Sequence, residues 1–111
     1  VTNEEMSEVL KGLIDPNKKT LIFAANCWLL PIVYVGLKDI DLITSDSIGL
    51  LGFDNTEWTV LSSPTVTTIV QPAMEEGRAA AKILIDHIED LCVEAPQQIL
   101  PCTVNYMDST I

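Results

Sequence analysis

The chain has 111 residues, of which 48% are hydrophobic, and its mean hydropathy is +0.30. These values predict one folded domain and exclude a disordered tail, while the longest apolar run, residues 29–37, is too short to cross a bilayer. Six Lys and Arg against sixteen Asp and Glu give a formal net charge of −10. Because that charge repels phosphate backbones, we do not expect this chain by itself to bind nucleic acid.

The beginning of the chain predicts a helix followed by a strand. Thr2 and Glu5 have the spacing of a capping box, and the apolar side chains that follow recur at helical spacing. These side chains are Met6, Val9, Leu10, Leu13 and Ile14. Pro16 ends the helix, and residues 20–25 form a nearly continuous apolar run, which is typical of a parallel strand buried on both faces.

The middle of the chain predicts a second helix and two further strands. The helix is expected to begin near Leu30, because Pro31 is tolerated in a first turn but costs about 3 kcal/mol in a helix interior. Residues 47–53 form another apolar run, and residues 67–70 are a β-branched run that favours extended structure.

The last part of the chain predicts a long helix and a final strand at residues 98–105. Pro72 suits the first helical position, and Lys82 and Asp86 are spaced for an ion pair one turn apart. The apolar stripe of this helix comprises Ala73, Gly77, Ala80, Ala81, Leu84, Ile88 and Leu91. The alternation of helices and strands predicts an α/β fold, a three-layer parallel sheet with helices on both faces and right-handed crossovers.

Two polar residues follow strands of the predicted sheet, Asn26 after the first and Asp54 after the second. In open parallel sheets, ligands bind beyond the carboxyl ends of the strands. An amide that donates and accepts, beside a carboxylate that accepts, suits the hydroxyl groups of a sugar. The residues leave an alternative open, in which both side chains only cap the helices that follow them.

The other candidate residues do not indicate catalysis or cofactor binding. Gly49 and Gly52 do not form a nucleotide-binding glycine motif, no metal-ligand cluster or cofactor loop is evident, and His87 is expected on the surface of the long helix. Trp28 and Trp58 each follow a strand-end residue closely. Either could stack on a sugar ring, anchor a subunit interface or pack in the core.

The three cysteines, Cys27, Cys92 and Cys102, lack CxxC spacing, so neither a disulfide framework nor a zinc site is expected. We predict inert buried thiols in a reducing compartment, because no basic neighbour is apparent that would activate them.

Four ordered sequence blocks resemble the C-terminal part of LacI/GalR family transcriptional regulators. They are LIFAAN at residues 21–26, SDSIGLLGFDN at 45–55, SPTVTTIVQPAMEEGRAAAKILI at 63–85 and LP at 100–101. The resemblance implies a periplasmic-binding-protein-like type I effector domain of two α/β lobes, of which residues 1–111 are expected to be an excised C-terminal part, mostly the C-terminal lobe. It also implies a cytoplasmic homodimer that binds a sugar or sugar derivative, needs no cofactor, and reaches operator DNA through an N-terminal headpiece absent from this chain.

The same resemblance assigns roles to particular residues. It implies that Asn26 and Asp54 contact effector hydroxyls and that Gln71 faces the cleft, where the chain crosses between lobes. The hinge residues would be Thr67, Thr68, Ile69 and Val70, and the dimer-interface residues Pro31, Val35 and Trp58. Two positions depart from the family pattern: Cys27 replaces an acidic residue, and Met107 stands where an arginine usually precedes Ser109.

Three functions are compatible with these residues. The leading one is a sugar-responsive repressor in which effector binding closes a hinge and changes operator affinity. An alternative is the C-terminal lobe of an exported sugar-binding protein of an ABC transporter, which has the same architecture. The third is a small enzyme with Asp54 as general base, but no nucleophile or metal cluster accompanies that residue, so we do not expect an enzyme.

Overall fold

The computed structural model describes residues 1–54, 57–90 and 97–110. Helices and strands alternate along the chain, which confirms the predicted α/β class. The elements are α1 (Asn3–Leu13), β1 (Thr20–Ala24), α2 (Leu29–Asp39), β2 (Ile48–Phe53), α3 (Glu57–Leu61), β3 (Thr67–Val70), α4 (Ala73–Ile88), β4 (Thr103–Asn105) and a C-terminal 3₁₀ turn (Asp108–Thr110).

The strands form a four-stranded sheet in the order β1-β2-β3-β4. β1 and β2 are parallel, and their register pairs Thr20 with Ile48 and ends with Ala24 opposite Gly52. β2 and β3 are also parallel, from Leu51 opposite Thr67 to Phe53 opposite Ile69. The carboxyl ends of these three strands therefore lie at one edge of the sheet.

The chain divides into two compact units. The first comprises Val1–Val70 and Val104–Ile111, and it holds α1, α2, α3 and the first three strands. The second comprises Gln71–Thr103 and holds α4. The division falls directly after the last residue of β3.

Helix α1 begins as predicted, with a capping box. The Thr2 backbone N–H donates to Glu5 Oε2 at 2.7 Å, and the Glu5 backbone N–H donates to the Thr2 hydroxyl at 3.1 Å. The predicted apolar stripe is only partly correct, because Met6 and Leu10 are buried but Val9 and Leu13 are exposed. Met6 and Leu10 contact α2 near Gly36, whereas Val9 and Leu13 lie outside this narrow contact between the two helices.

The line of contact between α1 and α2 runs through Gly36. A Cβ atom at this position would lie 2.9 Å from Cδ1 of Leu10 and 3.0 Å from Cγ of Met6. The absence of a side chain at Gly36 therefore lets the two helices approach closely.

The helical layer covers one face of the sheet and forms the hydrophobic core with it. Ala24 of β1 and Leu50 of β2 are buried on this face. From α2, Leu30, Val33 and Leu37 complete the same cluster. The helix starts at Leu29, one residue before the predicted start, and Pro31 lies in its first turn as expected.

The opposite face of β1 corrects the prediction of a strand buried on both sides. Leu21 is 61% exposed and Phe23 is 49% exposed. Successive side chains of a strand point to opposite faces, and the α1–α2 layer lies on only one of them. We call this side the open face. Its residues are Leu21, Phe23, Gly49, Leu51, Phe53, Thr67 and Ile69, of which Thr67 is buried.

The final strand is shorter than predicted, at Thr103–Asn105 instead of residues 98–105. Pro101 lacks the backbone N–H that a ladder requires, which favours a strand start beyond it. In the second unit, Lys82 Nζ lies 2.6 Å from Asp86 Oδ2 and confirms the predicted ion pair. Helix α4 runs from Ala73 to Ile88, and Leu91, the last residue of its predicted apolar stripe, lies outside the described residues.

Candidate functional site

Asn26 and Asp54 lie at the same level of the sheet, at the carboxyl ends of two neighbouring parallel strands. Ala24 pairs with Gly52, and each candidate follows its paired residue by two positions. The expectation that these strand ends adjoin is therefore confirmed at the level of the backbone. A ligand that binds beyond this edge meets an amide from one strand end and a carboxylate from the next.

Asn26 also performs the capping role that the sequence left open. Its Oδ1 atom accepts a hydrogen bond from the backbone N–H of Leu29 at 2.7 Å, and its carbonyl oxygen accepts one from Leu30 at 3.3 Å. The side chain is exposed at the start of α2. The cap uses the amide oxygen, and the amide nitrogen carries two further N–H donors.

Asp54 adopts a left-handed backbone conformation with φ of 70°. Its N–H donates to the carbonyl oxygen of Ile69 at 2.7 Å, which extends the β2–β3 pairing by one residue. The side chain is half-buried. Asparagine and aspartate tolerate this left-handed conformation better than most residues that have a side chain. Asp54 can therefore form the turn after β2 and also place a carboxylate there.

Gln71 follows β3 directly and is the first residue of the second unit. Its carbonyl oxygen accepts a hydrogen bond from the Ala73 N–H at 2.9 Å, next to the start of α4. Its proposed contact with a ligand remains a prediction.

The four predicted hinge residues form strand β3. Thr67 and Thr68 are buried, whereas Ile69 and Val70 are half-buried. The assignment of Thr67–Val70 as a hinge stays a prediction, and the boundary between the compact units lies at the end of this strand.

The two tryptophans have different environments. Trp58 is half-buried, and its ring lies edge-on to that of Tyr34, with centroids 5.3 Å apart and an interplanar angle of 72°. Trp28 is 84% exposed in the turn before α2. Pro31 and Val35 lie one turn apart on α2 and are both half-buried. The dimer-interface role of Pro31, Val35 and Trp58 remains a prediction.

A groove of about 600 Å³ lies over the open face and away from the carboxyl edge. Its lining includes Leu21, Leu51 and Ile69, with Lys19 and Asp46 near the amino ends of the strands. Asn26, Asp54 and Gln71 do not contribute to it. The groove extends toward the amino ends of the strands, whereas ligands of open parallel sheets bind beyond the carboxyl ends, so the candidate site lies at Asn26 and Asp54 and not in the groove.

The cysteine prediction is partly wrong. Cys102 is exposed and Cys27 is half-buried, because both lie in irregular segments and not in the core, and Cys92 lies outside the described residues. His87 is exposed on α4 as expected. Within residues 1–54, 57–90 and 97–110, no group of three or more His, Cys, Asp or Glu could hold a metal ion. Among the same residues, no helix is long and apolar enough to cross a membrane.

Sequence reasoning missed two hydroxyl groups that organise the first unit. The buried Ser109 hydroxyl donates to the Leu50 carbonyl at 2.6 Å and accepts from the Thr67 N–H at 2.8 Å. The Tyr34 hydroxyl donates to the Ser63 carbonyl at 2.9 Å. The sequence carries a weak signal for the second contact only, since a tyrosine in an apolar helix needs a partner for its hydroxyl group.

Comparisons with known proteins identify the family. The chain matches the periplasmic binding protein-like domain over residues 4–110. It is 35% identical over 74 residues to the HTH-type transcriptional regulator KdgR of Bacillus subtilis, an alignment that covers 67% of this chain and 22% of KdgR. It is 28% identical over 110 residues to the HTH-type transcriptional repressor CytR of Escherichia coli, which covers 98% of this chain and 32% of CytR.

A solved structure gives the same result. The LacI family transcriptional regulator from Enterococcus faecium with bound ribose superimposes with a TM-score of 0.75 at 28% sequence identity, over 98% of this chain and 40% of that one. The chain thus spans between a fifth and a third of the two curated relatives and less than half of the solved one. All three relatives are transcriptional regulators, which favours that interpretation over an exported binding protein. This chain belongs to the periplasmic binding protein-like domain family, in the branch of the LacI-family transcriptional regulators.

Proposed function

We propose that this chain is the C-terminal part of the effector-binding and dimerisation domain of a sugar-responsive transcriptional repressor. One observation carries the proposal. Asn26 and Asp54 each lie two positions after a pair of matched residues, Ala24 and Gly52, so both are at the carboxyl ends of the neighbouring strands β1 and β2. The bound ribose of the Enterococcus faecium relative supports a sugar as the class of ligand. The protein acts by ligand recognition and not by catalysis.

The polar groups at this edge divide the recognition of the sugar between them. The amide nitrogen of Asn26 donates to one hydroxyl group while its oxygen holds the start of α2. The Asp54 carboxylate accepts from hydroxyl groups on the same side of the ring, and Gln71 contributes from the segment after β3. Hydrogen bonds to a charged group contribute about 1.5–3 kcal/mol each, so Asp54 supplies the largest single part of the affinity.

Ligand binding is coupled to DNA binding through a hinge that consists of strand β3, Thr67–Val70. The boundary between compact units after Val70 supports this position. Closure around the sugar changes the spacing of two DNA-binding headpieces in a cytoplasmic homodimer and so changes operator affinity. The headpieces lie outside this chain, whose net charge of −10 disfavours direct contact with DNA.

The dimer forms through the outer side of α2 and the adjoining α3, with Pro31, Val35 and Trp58 at the contact. The edge-on packing of Trp58 against Tyr34 supports this, because it joins α3 to α2 in one surface. Aromatic residues that are partly buried in the free subunit are common anchors of such interfaces.

The test of ligand recognition is Asp54→Asn in the full-length regulator. Asparagine tolerates the left-handed backbone of this position, so the variant removes the charge without adding backbone strain. We expect about ten- to a hundred-fold more sugar to be needed for release from operator DNA, measured by fluorescence anisotropy. Asp41→Asn is the matched control, because Asp41 also has a positive φ of 57° but follows α2 at the other end of the strands. An unchanged response of Asp54→Asn would refute the proposal.

A second variant separates capping from ligand binding at Asn26. Asn26→Asp retains an oxygen that can accept from the Leu29 N–H but removes the amide donors. If Asn26 only caps α2, this variant responds to sugar like the unaltered protein. We expect instead a folded protein of unchanged thermal stability with a weakened sugar response.

A further inference from the structure

The C-terminal turn is a part of the first unit that the proposed function does not use. The chain leaves this unit at Val70, the last residue of β3, and re-enters it at Val104, within β4. β3 and β4 are neighbours in the sheet. The two strands that connect the compact units are therefore adjacent, and the turn Asp108–Thr110 closely follows the second of them.

This turn is hydrogen-bonded to the segment that leads into β3. The Ser109 N–H donates to the carbonyl oxygen of Thr65 at 2.9 Å, and the Asp108 N–H donates to the Thr65 hydroxyl group at 3.2 Å. The Ser109 hydroxyl group accepts from the Thr67 N–H at 2.8 Å and donates to the Leu50 carbonyl oxygen at 2.6 Å. Backbone and side-chain groups of the turn thus hold the beginning of β3.

The Thr67 hydroxyl group completes the attachment. It accepts from the Met107 N–H at 2.8 Å and lies 2.6 Å from the Thr110 hydroxyl group. Thr67 is only 1% exposed, so water cannot replace these partners and their loss is costly. We call residues 107–110 the C-terminal clasp. Because Met107 follows β4 and Thr67 begins β3, the clasp joins the two connecting strands.

The strand that the clasp holds also contacts the proposed sugar site. The Asp54 N–H donates to the Ile69 carbonyl oxygen at 2.7 Å, and Ile69 lies two positions after Thr67 on β3. A contiguous series of hydrogen bonds therefore leads from Asp54 through β3 to the clasp. Hydrogen-bond networks on rigid elements are one physical route for coupling between distant sites, and measured coupling is the evidence for it.

Two connecting strands that are tied together respond differently from two independent ones. If β3 could bend along its whole length, a displacement at one strand would be absorbed there and would not reach the other. With the amino end of β3 fixed to the clasp, bending is confined to the carboxyl end of β3, and β4 is displaced with it.

We infer that the C-terminal clasp makes the two connecting strands respond to sugar as one unit, with Ser109 and Thr110 as positioning residues for the coupling between sugar and operator binding. The inference rests on the proposed function and deepens it, because it names the part of the chain that transmits the response. Both residues lie away from the strand ends at Asn26 and Asp54. Loss of a clasp hydroxyl group should therefore reduce the coupling and leave the sugar affinity of the DNA-free protein unchanged.

The test measures the factor by which saturating sugar changes the operator affinity of the full-length regulator, by fluorescence anisotropy. The probe is the sugar with the largest effect on the unaltered protein in a panel of common pentoses, hexoses, disaccharides and sugar acids. We expect Ser109→Ala and Thr110→Val to bring this factor toward one, by about five-fold, and Thr110→Ser to retain it because it keeps the hydroxyl group.

Calorimetry gives the sugar affinity of the same variants, with and without operator DNA. Because coupling between two binding sites is reciprocal, the sugar affinity of the DNA-bound protein should change by the same factor, and that of the free protein should not change. Valine has nearly the shape of threonine, so Thr110→Val keeps the test informative if Ser109→Ala does not fold.

Leu10→Val is the stability control, because Leu10 is buried between α1 and α2 and lies outside the clasp. The variant removes buried apolar volume and should destabilise the fold while retaining the coupling. All variants are compared at a temperature at which circular dichroism shows each of them to be folded.

The outcomes separate the inference from the proposed function. Unchanged coupling in both Ser109→Ala and Thr110→Val, with weakened sugar binding in Asp54→Asn, overturns the role of the clasp and leaves the proposed function standing. An equal loss of coupling in Leu10→Val would assign the effect to general destabilisation and also overturn the inference. No response of the unaltered protein to any sugar of the panel, or unchanged affinity in Asp54→Asn, overturns the proposed function itself.

Discussion

The hydroxyl group of Ser109 accepts a hydrogen bond from the backbone N–H of Thr67 at 2.8 Å, across 42 positions of the sequence. The same hydroxyl group donates to the carbonyl oxygen of Leu50 at 2.6 Å, and Ser109 is only 8% exposed. The C-terminal turn is therefore attached to both β2 and β3. Strand β3, whose four residues are the predicted hinge, is therefore held at its amino end by the C-terminal 3₁₀ turn.

Loss of this hydroxyl group should destabilise the fold. Ser109→Ala leaves the buried N–H of Thr67 and one buried carbonyl oxygen without their partner, so we expect the free energy of unfolding to fall by about 2–3 kcal/mol. Urea unfolding followed by circular dichroism measures the change. Ser7→Ala is the control, because Ser7 is also buried but its hydroxyl donates only to the Asn3 carbonyl within α1. Equal effects of the two substitutions would contradict the special role of Ser109.

The neighbouring residues Thr67 and Thr68 should respond in opposite ways to loss of a hydroxyl group. Both are buried, but Thr67 Oγ1 accepts from the Met107 N–H at 2.8 Å, whereas Thr68 Oγ1 has no partner among the described residues. We expect Thr67→Val to cost about 1–3 kcal/mol, and Thr68→Val to be neutral or stabilising by up to about 1 kcal/mol. Thermal unfolding of both variants tests this, and destabilisation by Thr68→Val would show that its hydroxyl group binds a partner.

Gly52 is required by the packing of α2 on β2. A Cβ atom there would collide with Cδ2 of the fully buried Leu30 and would lie 3.1 Å from its Cδ1. We expect Gly52→Ala to destabilise the protein by about 1–3 kcal/mol through overpacking, as measured by chemical unfolding. Gly12→Ala is the matched control, because no atom lies within 4 Å of a Cβ at that helical position. That variant should gain up to about 1 kcal/mol from helix propensity.

The capping box of α1 predicts a pH-dependent contribution to stability. The backbone N–H of Thr2 and then its hydroxyl group hold the pKa of Glu5 below the usual value for glutamate. Because the pKa is lowered in the folded state, the stabilisation is complete above the pKa of the unfolded chain and is lost as the pH falls through the folded value. Glu5→Gln should therefore be less stable than the unaltered protein near neutral pH, and the difference should vanish on acidification.

The matched control for that titration is Glu4→Gln, which lies in the same first turn of α1 but outside the capping box. Urea unfolding is measured at several pH values, from neutral to below the ordinary pKa of glutamate. It gives the difference in unfolding free energy between each variant and the unaltered protein. If the difference in unfolding free energy between Glu5→Gln and the unaltered protein stayed constant with pH, the capping role of the Glu5 carboxylate would be contradicted.

Much of the backbone could be predicted from local patterns. The start of α1, the parallel strands β1 and β2, and the ion pair between Lys82 and Asp86 follow from spacing and propensity, which act over a few residues. The strand-end position of Asn26 and Asp54 followed from the same patterns. Whether the two residues lie side by side depends on the register between β1 and β2. The sequence indicates only that sequential strands tend to pair, and it does not give the register.

The contacts between distant segments could not be predicted in this way. Nothing local distinguishes Thr67 from Thr68, and the partners that make one hydroxyl group essential lie about 40 positions further along the chain. The exposure of Leu21 and Phe23 was mispredicted for a related reason, because a continuous apolar run is compatible with one covered face or two.

By itself, the sequence determined the order of helices and strands and the residues at the strand ends, because short-range sterics and hydrophobic periodicity act within a few residues. Only the tertiary structure decided which of the two tryptophans packs in the protein and which remains exposed beside Asn26. Both tryptophans follow strands in similar sequence contexts, and the difference arises because the ring of Tyr34 lies next to Trp58. Burial depends on neighbours that the fold brings together, and local pattern does not contain that information.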